Sequence, residues 1–228
     1  MENAYFQNTT YDNGLRTYLL GVFNNMSMAL FISGFVSAYV GLNNELAQMI
    51  WGTAFKWVAI FAPLAFVFLF SFAANSMSST TAKIMLYVFA ALMGLSISSI
   101  FLIYKLGSIF QVFFISSATF GATALWGYTT KRDLSSMGSF LMMGVIGLII
   151  AGVVNIFLQS SVMAFVISII GVLIFVGFTA YDMQDIKDKY YSLVGEDRTK
   201  AGVFGALNLY LDFINIFINL LQLLGDRK

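Results

Sequence analysis

A polytopic membrane protein of seven transmembrane α-helices is the fold class this sequence predicts, and three observations carry it. Hydrophobic residues make up 59% of the 228-residue chain and charged residues 10%, whereas soluble domains average about 45–50% apolar and about 25% charged. Too few charges remain to solvate a globular surface, and a mean hydropathy of +0.84 is equally far from a disordered composition. Seven stretches reach the roughly 20 apolar residues a helix needs to cross a hydrocarbon core about 30 Å thick. Period-two alternation is absent, which sets aside a β-barrel.

The elements follow in order. A segment covering 1–18 precedes the first span, 19–40, which is too long for a signal-peptide core and has no clear cleavage site, so it is retained. The second span, 50–73, contains Pro63, where a kink is expected. The third is 84–104. The fourth, 108–128, carries Ser116, Thr119, Thr123 and Trp126 at helical spacing, a weakly polar face that serves either packing or a pore lining. In the fifth, 137–158, Gly144, Gly147 and Ala151 predict close helix contact. The sixth, 162–181, runs into Asp182, and the seventh, 202–224, closes a transmembrane domain of residues 19–224, leaving a tail of 225–228.

Composition also excludes chemistries. A net charge of +1 gives a nucleic-acid partner no electrostatic footing. Without Cys or His there is no disulfide, thiolate, imidazole ligand or Ser-His dyad, and no nucleophile–base pair is visible, so an enzyme is not expected. The basic residues set a topology. With seven crossings, Arg16, Lys83, Lys131, Arg132, Lys187, Lys189, Arg198 and Lys200 share the side of the N-terminus, against Lys56, Lys105, Arg227 and Lys228 opposite. The positive-inside bias makes the first side cytoplasmic and puts the C-terminus across the membrane.

The last span is the most informative. Asn208, Asp212, Asn215, Asn219 and Gln222 are spaced by four, three, four and three residues, which puts them on one helix face. Unsatisfied polar groups cost several kcal/mol each in lipid, so that face must turn toward other helices or a wet cavity. Asp212 lies about 15 Å into its span, near the midplane, where an aspartate costs about 2.5–3.5 kcal/mol and is a functional candidate by default. Asp182 closes the sixth span just inside an interface marked by Lys187 and Lys189. Antiparallel neighbours would bring both carboxyls into the cytoplasmic half of the bilayer. Two touching carboxyls in a low dielectric share a proton and titrate in two coupled steps, a proton-sensitive latch that needs no histidine. Asp185 and Asp188 belong to a solvated helix end. Asp182 and Asp212, with Asn208, Asn215 and the Tyr210 hydroxyl, offer oxygen ligands only, which suits calcium, and Asn219 extends the polar path.

Two segments carry a family resemblance. Phe178-Thr179-Ala180-Tyr181-Asp182-Met183-Gln184-Asp185-Ile186-Lys187 and Gly205-Ala206-Leu207-Asn208-Leu209-Tyr210-Leu211-Asp212-Phe213-Ile214-Asn215-Ile216-Phe217 resemble the last two helices of the Bax inhibitor family, the transmembrane Bax-inhibitor-motif proteins. Gly14-Leu15-Arg16-Thr17-Tyr18 is similar to the start of many bacterial members. The resemblance implies six helices around a central last helix, and a pH-sensitive calcium leak controlled by an aspartate pair that Asp182 and Asp212 match. Some bacterial relatives latch that pair with an arginine at the end of the second helix. This chain reads Ser71-Phe72-Ala73-Ala74-Asn75 there, with Lys83 the nearest substitute. The short tails resemble bacterial members, which lie in the cytoplasmic (inner) membrane.

The leading expectation is therefore a calcium leak, closed while the aspartates are bridged by a proton and loosened on ionisation, with calcium, protons and the lipid bilayer as partners and no cofactor. Two alternatives stand beside it. One is a non-transporting regulator that binds a membrane protease, a cell-death partner or another membrane protein. The other is a proton-coupled cation exchanger.

Overall fold

The computed structural model describes residues 2–73 and 76–228, with side chains for 13–70, 72 and 76–228. The comparison of Ser71 to Asn75 with an arginine latch falls mostly outside the described residues. Helices account for nearly all of the described chain: α1 (Glu2–Leu42), α2 (Asn44–Trp51), α3 (Phe55–Ala73), α4 (Ser79–Ile97), α5 (Ile100–Ile103), α6 (Leu106–Thr129), α7 (Ser135–Leu158), α8 (Ser161–Ser192) and α9 (Gly195–Leu224). Among the described residues six helices are long and apolar enough to cross a membrane, and a bent pair, α2 with α3, raises the number to seven. The expected all-α polytopic architecture is the observed one.

Three boundaries differ from the sequence reading. The second span is not one helix from residue 50. α2 is capped by Asn43, whose side chain accepts from the Glu45 and Leu46 amides, and ends at Gly52. A 78° bend then precedes α3. α3 itself continues through Pro63, so the sharp turn falls at Gly52 and Thr53, where the Thr53 hydroxyl diverts to the Met49 carbonyl. The third span breaks at Ser98, whose hydroxyl bonds back to the Leu95 carbonyl and accepts the Trp51 indole N–H at 2.9 Å. α8 extends well past Tyr181 into charged residues that hydropathy does not mark as helical.

The chain forms two compact units, residues 1–102 with 186–210, and 103–185 with 211–228. In the first, α1 and α4 meet closely, because a side chain at Gly94 would collide with the Ser33 backbone. The Tyr87 hydroxyl reaches Asn25 across the same contact, and Phe70 stacks on Phe204 at 5.1 Å.

In the second unit, glycines set the helix spacing. A Cβ at Gly127 of α6 would strike the Ala180 backbone of α8, and one at Gly144 of α7 would strike Ile174. Gly147 has open space beside it, so of the two glycines expected at a contact only Gly144 makes one. The C-terminal residues fold back on the start of α6. Lys105 donates to the Asp226 carbonyl, Asp226 to the Ser108 hydroxyl, and Lys228 to the Ile103 carbonyl, each at 2.9 Å. Burial ranks the spans: 67% of the α9 window is enclosed against 6% for α7. The most enclosed of these windows is thus the one with the polar stripe, and α7 leaves its Phe, Ile and Met side chains exposed.

Candidate functional site

The site grows from the meeting of α8 and α9 in the second unit. On α8, Thr179 turns its hydroxyl onto the Phe175 carbonyl. Ala180 lies against Gly127, so α6 and α8 approach backbone to backbone. The next turn delivers Asp182, and α9 delivers Asp212; they are 6% and 4% exposed. Their carboxyls are neighbours, close enough for a hydrogen bond between them. A carboxylate only accepts, so such a bond requires one of the pair to hold a proton. The second Asp212 oxygen, Oδ2, is buried without a hydrogen-bond partner. Beside the pair, Phe213 packs edge-on to Phe113 and Phe120 at 5.5 and 5.7 Å, an apolar wall that strengthens any charge interaction near it.

The rest of the stripe divides. Asn215 and Asn219 are half-buried and donate to the carbonyls of Leu211 and Asn215, one turn back on their own helix, both at 2.8 Å. Asn219 also fills the space left by Gly171 of α8. Gln222 makes the interhelical bond expected of a polar face, accepting from the Ser168 hydroxyl at 2.7 Å. Asn208 is half-buried on α9. Tyr210 points elsewhere, since residues two apart on a helix do not share a face. It is wholly buried, edge-on to Phe89. Its hydroxyl lies beside Ser33 without a well-aligned bond, and Ser33 gives its own proton to the Leu30 carbonyl.

Ser116, Thr119 and Thr123 of α6 each bond to a carbonyl of their own helix at 2.8–2.9 Å, which satisfies their donors and favours the packing reading of that face. Lys83, the substitute latch, belongs to the first unit. It rests over the Tyr87 ring at 6.0 Å and makes no ion pair among the described residues. Among the described residues no three His, Cys, Asp or Glu gather as a metal cage, so the carboxylate ligands at the site are the pair alone.

One neighbour escaped the sequence. Gln184, two residues after Asp182, accepts from the Leu134 N–H at 2.8 Å and donates to the Arg132 carbonyl at 2.9 Å. It ties the α6–α7 connection to the aspartate helix. Within that connection Asp133 accepts from the Ser135 amide at 2.8 Å, which holds its carboxyl below the usual range. A glutamine next to charged residues gives no hydropathy signal.

Comparison with known proteins gives a consistent picture. Residues 15–228 match the sequence model of the family described as "Inhibitor of apoptosis-promoting Bax1". An uncharacterized protein of Rickettsia prowazekii, RP147, is 45% identical over 225 residues, covering 97% of this chain and 94% of the relative. The Escherichia coli inner membrane protein YbhL is 37% identical over 219 residues, 94% of each chain. An uncharacterized membrane protein of Streptococcus pyogenes, SpyM3_0260, is 36% identical over 220 residues, 95% of this chain and 96% of the relative.

Proposed function

The chain belongs to the Bax inhibitor family, and on that premise we propose that it is a proton-sensitive calcium leak of the bacterial cytoplasmic membrane, gated by Asp182 and Asp212. One observation carries the reading: two buried carboxyls on different apolar helices face each other, and a proton held between them is what lets them stay in contact. Removing it leaves two charges in contact. At 4 Å and an effective dielectric of about 20 they repel by about 4 kcal/mol, about a thousandfold in an equilibrium. Ionisation therefore releases α8 from α9 at this point and presents two carboxylates to a cation. Calcium takes six to eight oxygens, and two carboxyls fall short of that number. The pair is a gate and a waypoint, not a storage site. The N-terminus lies on the cytoplasmic side, where eight of the twelve basic residues gather, and the C-terminus lies opposite.

Calcium flux from proteoliposomes, read across a pH series, tests this. Flux rises as pH is raised through the titration of the pair, and Asp182→Asn and Asp212→Asn each flatten the profile. A profile unchanged in both variants contradicts the mechanism. Flux that is driven by a proton gradient and saturates with calcium would mark an exchanger instead. The outward face of α7 supports a second reading, a non-transporting regulator whose α7 contacts a membrane protease. Under it, both Asn variants still retain the protease in a pull-down and no wild-type flux is seen.

A further inference from the structure

A second polar feature of the molecule stands apart from the aspartates. Within the first unit, between residues 17–25 of α1 and the first turns of α4 and α9, lies a cavity of about 480 Å³, inside the range of about 300–1,000 Å³ typical of small-molecule sites. Lys83 lines it, together with Thr17, Asn25, Ser79, Thr80 and Thr199. Among the described residues no carboxylate lines it. Glu196 is close in the chain to Thr199, but its carboxylate is committed to the Ser79 N–H at 2.7 Å, and Asp197 faces Lys200 at 3.8 Å.

Most donors of the cavity are unspent. Lys83 has no ion pair among the described residues, and the Thr80 hydroxyl has no hydrogen-bond partner among them, whereas the Ser79 hydroxyl is engaged by Glu196. Asn25 accepts from the Tyr87 hydroxyl through Oδ1, which leaves its amide N–H groups to donate. Thr17 and Thr199 have given their protons to the Asn13 and Gly195 carbonyls. A concave site with one ammonium, one free hydroxyl and an amide, and no opposing charge among the described residues of its lining, is complementary to a ligand made of acceptors. Lysine serves phosphate as a point charge, and the Thr80 hydroxyl and the Asn25 amide can each reach a different phosphate oxygen.

We infer that this cavity is a binding site for a phosphate-bearing anion, held by Lys83 and oriented by Thr80 and Asn25. Because the span of α4 begins here, the phosphate comes either from an anionic lipid headgroup or from a soluble phosphate ester, and the two sources separate experimentally. In one arm, full-length protein from nanodiscs of phosphatidylglycerol or phosphatidylcholine is analysed by native mass spectrometry for retained lipid. In the other, inorganic phosphate and glycerol 3-phosphate are titrated into protein in phosphatidylcholine nanodiscs while the melting temperature is followed.

Selective retention of phosphatidylglycerol assigns the headgroup, and stabilisation by the soluble anions assigns the ester. In whichever arm responds, Lys83→Gln weakens binding about tenfold, the loss expected of one charge-assisted contact, and Lys83→Arg preserves most of it. Thr80→Val, which leaves every charge in place, weakens it by a smaller factor. Equal retention of both lipids with no response to the soluble anions overturns the inference, as does a Lys83→Gln protein indistinguishable from wild type.

Discussion

Gln184 uses both ends of one amide to hold the backbone of Arg132 and Leu134, and Asp182 lies two residues before it on the same helix. Each of these bonds contributes about 0.5–1.5 kcal/mol. Gln184→Ala therefore lowers stability by about 1–3 kcal/mol, and hydrogen exchange quickens at residues 132–134 before it quickens in α6 or α7. Protection unchanged there would show that the connection is held by other means. The aspartates are recognisable in sequence because an intramembrane carboxylate is costly and stands out. Gln184 is not, because its partners are main-chain atoms about 50 residues away, with no side-chain signature. Composition alone groups Tyr210 with the oxygen ligands, while helix geometry turns it toward Phe89.

Among elements, helix separation in the second unit depends on glycine. Gly127→Ala puts a methyl into the Ala180 backbone, which cannot yield as a flexible side chain would. Overpacking of this kind costs about 1–3 kcal/mol, and the displaced α8 carries Asp182 with it. The melting temperature falls and the pH profile of flux shifts together. Gly147→Ala, with open space beside it, leaves both unchanged and serves as the control.

A different joint links the start of α9 to the start of α4, where Glu196 accepts the Ser79 N–H. That bond and the Ser79 hydroxyl hold the Glu196 carboxyl below its usual range. A lowered folded pKa contributes stability above the unfolded value and loses it as pH falls through the folded one. Glu196→Gln accordingly removes the acid-side loosening of this joint, seen as exchange at Ser79 that no longer accelerates on acidification. If the wild-type amide exchanges equally fast, after correction for intrinsic rate, at neutral and acid pH, the joint is not pH-sensitive. Element boundaries were the least legible feature. Hydropathy finds apolar length, but Ser98 and Thr53 break helices through hydroxyl bonds to the preceding turn, and α8 persists where its residues become charged.

For the molecule as a whole, the gradient of burial from α7 to α9 follows polarity: the span with most to hide from lipid is the most enclosed. That rank was legible, because the stripe on α9 has no stable alternative in a bilayer. How the amides satisfy themselves was not, since Asn215 and Asn219 turn to their own helix instead of reaching across. The functional account rests on the proton between the aspartates, and infrared difference spectroscopy of the protein in bilayers reads it directly. The account predicts a protonated-carboxyl band that fades over the same pH interval in which calcium flux rises, and that is missing from Asp182→Asn and Asp212→Asn. A band that survives in both variants, or none that titrates with the flux, would contradict it.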